Sequence, residues 1–141
     1  MKVVLASDHG GFALKLQLIQ ALAEAKVPFE DLGPTTTAAV DYPDYARRVT
    51  DAVAGKQAEL GVLLCGTGIG MSIAANKVKG IRAALCHNEF EARAARQHND
   101  ANVLCLGERV LGASLARAIL QEFLNAKFEG GRHATRLAKI E

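Results

Sequence analysis

The sequence predicts an α/β fold built on a five-stranded parallel sheet with helices on both faces. Short apolar segments alternate with amphipathic helical segments five times along the chain, the pattern of a parallel sheet joined by right-handed crossovers. Segments such as Leu60–Leu64 are apolar at successive positions, as strands buried on both faces require. With 141 residues and 50% hydrophobic content, the chain fits one domain, residues 1–141, with a single core.

Each strand is predicted from a short apolar run and from the turn residues that end it. The five predicted strands are Val3–Ala6, Val27–Leu32, Leu60–Leu64, Arg82–Cys86 and Asn102–Leu106. The polar turn Ser7–Gly11 ends the first strand, and Gly33-Pro34 ends the second, because this dipeptide breaks regular structure.

The helices are predicted where apolar residues recur at helical spacing. The first has an apolar face formed by Phe12, Leu16, Ile19, Leu22 and Ala23. The later ones are expected from near Pro43 to Ala54, over Met71–Val78, over Glu89–Gln97 and over Leu111–Leu124. The tail, about residues 128–141, has few core-type residues, so we expect it to pack on a partner subunit, with a frayed end as the alternative.

Charge and cysteine usage exclude several classes of protein. The net charge is only +2, and basic residues cluster only near Arg132, Arg136 and Lys139, too weak a field to indicate nucleic acid or a membrane as partner. No apolar run approaches the roughly 20 residues that span a bilayer. The three cysteines lack Cys-x-x-Cys spacing and the start of the chain reads as a strand, not a signal peptide, so we expect a cytoplasmic protein.

The turn after the third strand is the segment most informative about function. Cys65 ends the apolar run, and glycines stand at positions 66, 68 and 70 before a helical pattern begins. Such a turn presents backbone N–H groups and a helix N-terminus beside the thiol, which suits anion binding and activation of a nucleophile or base. A core cysteine beside a tight connection is the alternative, but Thr67 and the three glycines favour an active site.

Three well-known loop types do not match this turn. Gly70 is followed by Met71-Ser72, whereas a Walker A loop ends in Gly-Lys-Ser/Thr. The glycine spacing also differs from the dinucleotide G-x-G-x-x-G pattern, so NAD is not expected. A cysteine phosphatase loop would need an arginine where Met71 stands. A thiolate that acts as a general base remains as the interpretation.

The direction of the strands places further polar residues near this turn. Asp8 and His9 follow the first strand, Cys65 and Thr67 the third, and Arg109 the fifth. Ligands of parallel sheets bind beyond the carboxyl ends of the strands, so we expect these side chains to share one edge of the sheet. For Asp8 and His9 the alternative is a helix cap without chemistry.

Three more residues could act on a phosphorylated substrate. His98 lies in a polar break before the fifth strand, and histidine can exchange protons near neutral pH, although a surface cap is an equal alternative. Arg132 and Arg136 are four residues apart. On a helix they would face one way and could clamp a phosphate, unless they only form a solvated basic face.

The remaining cysteines and histidines are assigned no chemistry. Cys86 and Cys105 lie in or at the end of apolar strands and are expected in the core. No metal site is predicted, because His87, His98 and His133 are dispersed along the sequence without a His-x-x-x-His helix or clustered carboxylates.

Eight short motifs, spread over nearly the whole chain, carry a family resemblance. They are Ser7-Asp-His-Gly-Gly11, Asp41-Tyr-Pro43, Cys65-Gly-Thr-Gly-Ile-Gly70, Ala74-Ala-Asn-Lys77, Gly80-Ile-Arg-Ala83, Arg96-Gln-His-Asn-Asp-Ala-Asn-Val103, Gly107-Glu-Arg109 and Glu129-Gly-Gly-Arg-His133. Together they resemble the ribose-5-phosphate isomerase B family, which also contains the galactose-6-phosphate isomerase subunits. Several motifs in the right order are far more specific than one Gly-rich loop.

This resemblance implies a Rossmann-like three-layer α/β/α sandwich and a homodimer or homotetramer with sites between subunits. It also implies interconversion of ribose 5-phosphate and ribulose 5-phosphate without a metal or other cofactor. Cys65 would move a proton between carbons 1 and 2, and His98 would help to open the sugar ring, assisted by Asp8. A branch of the family that lacks the cysteine has a glutamate where Met71 stands; a thioether cannot abstract a proton, so this chain follows the cysteine branch.

The resemblance further implies which residues hold the substrate. Thr67 and the backbone of Gly66–Gly70 would hold the developing enediolate, and Asn99 would position the sugar. The phosphate would be held by His9, Arg109, Arg132 and Arg136. The other implied substrate contacts are Tyr42, Gly66, Gly68, Ile69, Gly70 and Ser72.

Two alternative functions stay open. The substrate could be a hexose 6-phosphate, such as allose or galactose 6-phosphate, because the motifs do not give the length of the pocket. The chain could instead be a non-catalytic phosphosugar or nucleotide sensor that uses the same anion-binding loop.

Overall fold

Five parallel strands form the centre of the molecule. The computed structural model describes residues 1–141. The strands are β1 (Val3–Ser7), β2 (Phe29–Asp31), β3 (Leu60–Cys65), β4 (Ala83–Leu85) and β5 (Val103–Gly107). Their order across the sheet is β2-β1-β3-β5-β4, and every neighbouring pair is parallel. The predicted five-stranded parallel sheet is confirmed.

Six α-helices and one short 3-10 turn, His9–Gly11, surround the sheet. The helices are α1 (Phe12–Glu24), α2 (Tyr42–Ala54), α3 (Ile69–Ala75), α4 (Glu89–Asn99), α5 (Ala113–Asn125) and α6 (Arg132–Ala138). None of them combines the length and the apolar character that a membrane-crossing helix needs.

The sheet is buried on both faces, and each face has its own core. Successive strand residues point to opposite faces. Leu5 and Leu104 pack with residues of α1, α4 and α5 on one face. Ala6 and Leu63 pack with residues of α2 and α3 on the other. The three-layer α/β/α sandwich is therefore confirmed, and burial on both sides explains why the strands are apolar throughout.

Both edge strands are shorter than the sequence predicts. At the β2 edge, the Val27 N–H donates to the Leu22 carbonyl (3.0 Å) and so closes α1 instead of extending the strand. At the β4 edge, the Arg82 N–H donates to the side-chain oxygen of Asn102 (2.8 Å) and not to a strand carbonyl. An edge strand has a partner on one side only, so these local bonds decide where it begins.

Helix ends differ from the sequence prediction for similar reasons. Pro43 lies in the first turn of α2, which begins one residue earlier than expected, a position that tolerates its missing N–H. Helix α3 ends at Ala75 and not at Val78, since the Asn76 side chain bonds both the N–H and the carbonyl of Ala83 (2.9 and 3.0 Å). Helix α4 ends two residues later than predicted, and α5 begins two residues later and ends one residue later.

The tail contains a helix that the sequence did not reveal. Helix α6 buries only His133, so it lacks the apolar stripe that predicts an amphipathic helix. The Glu129 N–H donates to the Gln97 carbonyl (3.0 Å) and ties the start of the tail to α4 of the same chain. The tail is thus anchored on its own domain, and α6 remains largely exposed.

A buried lysine fixes the turn after β2. Lys15 on α1 is fully buried, and its Nζ donates to Asp31 Oδ1 (2.9 Å) and to the Pro34 carbonyl (2.7 Å). The ammonium also lies 5.1 Å from the centre of the Phe12 ring. A buried charge is tolerated only with such partners, so Lys15 specifies the path of the chain as it leaves the sheet.

A side chain at Gly68 is excluded both by the left-handed backbone conformation and by the atoms packed around this residue. Its φ is +78°, and an added Cβ would lie 2.6 Å from Leu85 Cδ1 and 2.9 Å from the carbonyl carbon of Leu106. We expect Gly68→Ala to lower the free energy of unfolding by about 2–4 kcal/mol, measured by urea denaturation. Gly80→Ala is the control, since Gly80 has a similar φ of +85° but open space around it.

The control variant should lose only about 1–2 kcal/mol, the cost of the left-handed backbone alone. Equal losses in Gly68→Ala and Gly80→Ala would contradict the steric part of the argument.

Candidate active site

Cys65 is held at the carboxyl end of β3, in the middle of the sheet. β3 is flanked by β1 and β5, and Cys65 is paired in register with Gly107. The Gly68 N–H donates to Cys65 Sγ (3.1 Å). A donor N–H on sulfur stabilises the negative charge of a thiolate. The turn after β3 therefore folds back and places a hydrogen-bond donor on the Cys65 thiol.

The turn Gly66–Gly70 is shaped by its own polar side chains. Thr67 Oγ1 accepts a hydrogen bond from the Ile69 N–H (3.2 Å), and Ser72 Oγ donates to the Ile69 carbonyl (2.7 Å). The Thr67 hydroxyl proton is thus free to donate outward, whereas the Ser72 oxygen is left as an acceptor. The left-handed conformation of Gly68 lets the chain enter α3 at this point.

Asp8 is drawn against β3 by the backbone. Its N–H donates to the Leu64 carbonyl (3.2 Å), and its Oδ1 accepts from the Gly11 N–H (3.1 Å). Asp8 therefore caps the 3-10 turn with one carboxylate oxygen, as the helix-cap alternative predicted. The residue still lies beside the turn, because a Cβ on neighbouring Gly10 would be 3.2 Å from the Gly66 nitrogen.

His9 and Arg109 also lie near this turn, His9 next to Gly10, which approaches Gly66, and Arg109 against Gly66 itself. His9 Nδ1 accepts from the Val40 N–H (3.2 Å), so a neutral His9 imidazole has its proton on Nε2. The Arg109 side chain covers Gly66, since a Cβ there would lie 3.4–3.5 Å from its Nε, Cδ and Cζ atoms. The Arg109 N–H donates to the Gly66 carbonyl (2.9 Å). The expected convergence of these residues at one edge is confirmed.

Tyr42 joins this group from the start of α2. Its ring lies so close to Gly70 that an added Cβ would be 2.6 Å from Cε1 and Cζ. The residue is 39% exposed. Nothing in the sequence spacing brings Tyr42 and Gly70 together; the contact follows from packing of α2 against α3.

Four of the selected residues lie at the amino edge of the sheet, where the strands begin, and not at the carboxyl edge, where the strands end. Because α4 runs back from the carboxyl edge, its final residues His98 and Asn99 lie at the amino edge, where β5 begins. Arg132 and Arg136 are exposed on α6, which packs against that end of α4. The five residues of β5 separate the two edges by roughly 15 Å. One chain therefore does not bring His98 to Cys65.

The histidines are not all dispersed, which corrects the sequence interpretation. The His98 and His133 rings stack with centroids 4.4 Å apart and an angle of 15°. Glu129 Oε1 is 3.8 Å from His98 Nε2 and 3.7 Å from His133 Nε2. Desolvation, and then the nearby charges of Arg132 and His98, lower the pKa of His133. Only the four-residue spacing of Glu129 and His133 was a sequence signal for this cluster.

The other two cysteines differ from Cys65 in their surroundings. Burial, and to a smaller extent the Glu91 carboxylate, raises the pKa of Cys86 to about 12. Burial also raises the pKa of Cys105, with smaller contributions from Cys65 and Cys86. Both stay protonated at neutral pH and belong to the core, as expected.

The chain is similar to known proteins over nearly its whole length. Residues 3–140 match the family model described as Ribose/Galactose Isomerase. Ribose-5-phosphate isomerase B of Escherichia coli (strain K12) is 47% identical over 139 residues, which are 99% of this chain and 93% of that protein.

Two solved structures superpose closely. Ribose-5-phosphate isomerase B from Clostridium thermocellum gives a TM-score of 0.98 at 50% identity, covering 99% of this chain and 95% of that one. The enzyme from Mycoplasma genitalium, solved with bound ribulose 5-phosphate, gives 0.94 at 47% identity, covering 99% and 93%. The chain therefore belongs to the ribose/galactose isomerase family and is an isomerase.

Proposed function

We propose that this isomerase interconverts ribose 5-phosphate and ribulose 5-phosphate through an enediolate, with Cys65 as the base. The observation that carries the proposal is the Gly68 N–H on Cys65 Sγ at 3.1 Å, at the edge of the sheet where ligands of parallel folds bind. The relative from Mycoplasma genitalium with bound ribulose 5-phosphate supports the choice of substrate.

Proton transfer between carbons 1 and 2 needs a base and a place for the resulting negative charge. In this proposal the Cys65 thiolate takes the proton from one carbon and returns it to the other. The enediolate oxygens accept hydrogen bonds from the Thr67 hydroxyl and from the N–H groups of Gly70 and Met71, which have no acceptor within α3. The Ile69 N–H is already bonded to Thr67 Oγ1. This stabilisation requires no metal.

The phosphate group gives the enzyme a handle for orienting the sugar. The His9 Nε2–H and the Arg109 guanidinium both lie beside the turn, and both can donate to phosphate oxygens. Because phosphorylated sugars stay inside cells, we place the reaction in the cytoplasm as part of pentose phosphate metabolism.

A second copy of the chain completes the site in this proposal. His98, Asn99, Arg132 and Arg136 lie at the amino edge, too far from Cys65 to meet the same substrate within one chain. In a two-fold homodimer, the amino edge of each subunit can face the carboxyl edge of the other. Such a dimer would contain two equivalent sites, each combining Cys65 of one subunit with these four residues of the other. Ile69 and Ile73, beside the turn, are 52% and 57% exposed and supply apolar surface for such a contact.

Catalysis by the thiol can be tested by removing it. We expect Cys65→Ala to lower kcat with ribose 5-phosphate by about 10²–10⁴-fold, the usual contribution of a positioned base, while substrate still binds. The readouts are ribulose 5-phosphate formation in the presence of a chelator and binding by calorimetry. Cys86→Ala is the matched control and should keep its activity.

Several results would contradict the proposal. Near-normal turnover in Cys65→Ala would remove the thiol from the mechanism. A larger kcat/KM with allose or galactose 6-phosphate would change the substrate to a hexose phosphate. Tight binding without turnover of any of these sugars would indicate a sensor.

The shared site can be tested by mixing two inactive variants. Cys65→Ala and His98→Gln, refolded together, should recover about a quarter of the wild-type activity, because half of randomly paired two-fold dimers are mixed and half of their sites are intact. Cys65→Ala mixed with Asp8→Asn is the control and should stay inactive, since both changes lie at the same edge. Absence of recovery in the first mixture would refute a site built from two chains.

Alkylation provides an independent test of which thiol is available. With a pKa of about 12, only about one Cys86 in 10⁴ is a thiolate at pH 8. We expect iodoacetamide at that pH to label Cys65 first, and ribose 5-phosphate to slow the labelling, with peptide mass spectrometry as the readout. Faster labelling of Cys86 or Cys105 would contradict the assignment.

A further inference from the structure

Two histidines and a glutamate meet where α6 packs on α4. Glu129 Oε1 lies 3.8 Å from His98 Nε2 and 3.7 Å from His133 Nε2, and the three ligand atoms all lie within 4.8 Å of one another. Two imidazoles and one carboxylate form a ligand set that suits divalent zinc, cobalt and nickel. The cluster lies at the amino edge, away from the Cys65 thiol of the same chain.

His133 contributes a second and independent observation. Its side chain is 8% exposed, and its Nε2 has no hydrogen-bond partner although it is buried. A buried nitrogen without a partner costs free energy and calls for an explanation such as a bound ion. This nitrogen faces the Glu129 carboxylate at 3.7 Å, so it is aimed into the cluster.

We propose that His98, Glu129 and His133 form a binding site for one Zn²⁺ ion per chain. Each residue supplies one ligand atom, His98 Nε2, Glu129 Oε1 and His133 Nε2. Three protein ligands leave a fourth tetrahedral position open to water or to an anion. The ion gives the buried His133 nitrogen the partner that the protein itself does not supply.

The cluster can close around an ion by rotation of two side chains. Zn–N and Zn–O distances of about 2.0–2.2 Å place neighbouring ligand atoms of a tetrahedral site about 3.3–3.6 Å apart. His133 is fixed by burial, while the side chains of His98 and Glu129 are 42% and 50% exposed. These two half-exposed side chains can rotate towards the fixed ligand, and His98 must also turn out of its stacked position.

Local charge limits the affinity of the site. Arg132 and Arg136 lie on the same helix as His133 and oppose a cation, whereas Glu129 contributes the one negative charge among the ligands. We therefore expect dissociation constants in the micromolar range and not the far tighter binding of structural zinc sites.

Zinc at this site would inhibit the isomerase, a consequence that rests on the proposed function. The ion would occupy Nε2 of His98, the residue that the family resemblance assigns to opening of the sugar ring. A neutral imidazole bound to metal through this nitrogen cannot exchange a proton there. Inhibition would therefore accompany saturation of the site and would be reversed by a chelator.

The binding test is calorimetric titration of the full-length protein with ZnCl₂. It is performed in the Cys65→Ala background, so that the thiol is not available as an alternative ligand, and repeated with CoCl₂ to follow visible absorption. We expect one ion per chain. Glu129→Gln and His133→Gln should each weaken binding at least tenfold, since loss of a group that only supports a ligand already costs about 10–100-fold.

His87→Gln is the matched control, because His87 also faces a glutamate, with Nδ1 3.3 Å from Glu91 Oε1, but has no second histidine nearby. It should bind zinc like its parent. Because Glu129 is half exposed, we expect Glu129→Gln to fold normally. This variant therefore still tests the site if His133→Gln folds poorly. Absence of binding, or equal affinity in Glu129→Gln and its parent, would overturn the site.

Inhibition of catalysis by zinc is tested separately from zinc binding. Zinc inhibition of the wild-type enzyme that persists in Glu129→Gln would place the inhibitory ion elsewhere and would overturn the inhibitory role. If the enzyme does not turn over ribose 5-phosphate at all, the proposed function fails, while calorimetry still decides whether zinc binds here.

Discussion

The common direction of the five strands is the constraint on which the arrangement of functional residues depends. All carboxyl ends reach one edge, so the turns after β1, β3 and β5 meet there and place Asp8, Cys65 and Arg109 side by side. The same constraint sends α4 to the other edge with His98. A parallel sheet thus divides the candidate catalytic residues into two groups at opposite ends of the strands, which is the reason for proposing a site shared between two chains.

The three cysteines show how position in this sheet determines chemistry. Cys105 lies inside β5, and Cys86 follows the edge strand β4; burial keeps both as neutral thiols. Cys65 is also part of a core cluster, but it is the last residue of its strand, and the Gly68 N–H reaches its sulfur. One residue further back in β3, the side chain would point to the other face.

Local sequence patterns were sufficient for the sheet, the order of the elements and the residues of the carboxyl edge. Strand direction and glycine spacing are local properties, so Cys65, Thr67 and Asp8 could be selected from them. The contact of Tyr42 with Gly70 and the stacking of His98 on His133 depend on how helices pack, which no spacing encodes. Helix α6 escaped prediction because it buries a polar residue, His133, and has no apolar face.

The ammonium group of Lys15 has an influence beyond the turn that it binds. By holding Asp31 and Pro34, it sets the point from which the chain departs towards α2, and on this route Val40 meets His9. The His9 tautomer that is assigned to phosphate recognition thus depends in part on Lys15, which is buried in another part of the molecule. Under the proposed role of His9, a fully buried residue therefore contributes to phosphate binding without contact with the ligand.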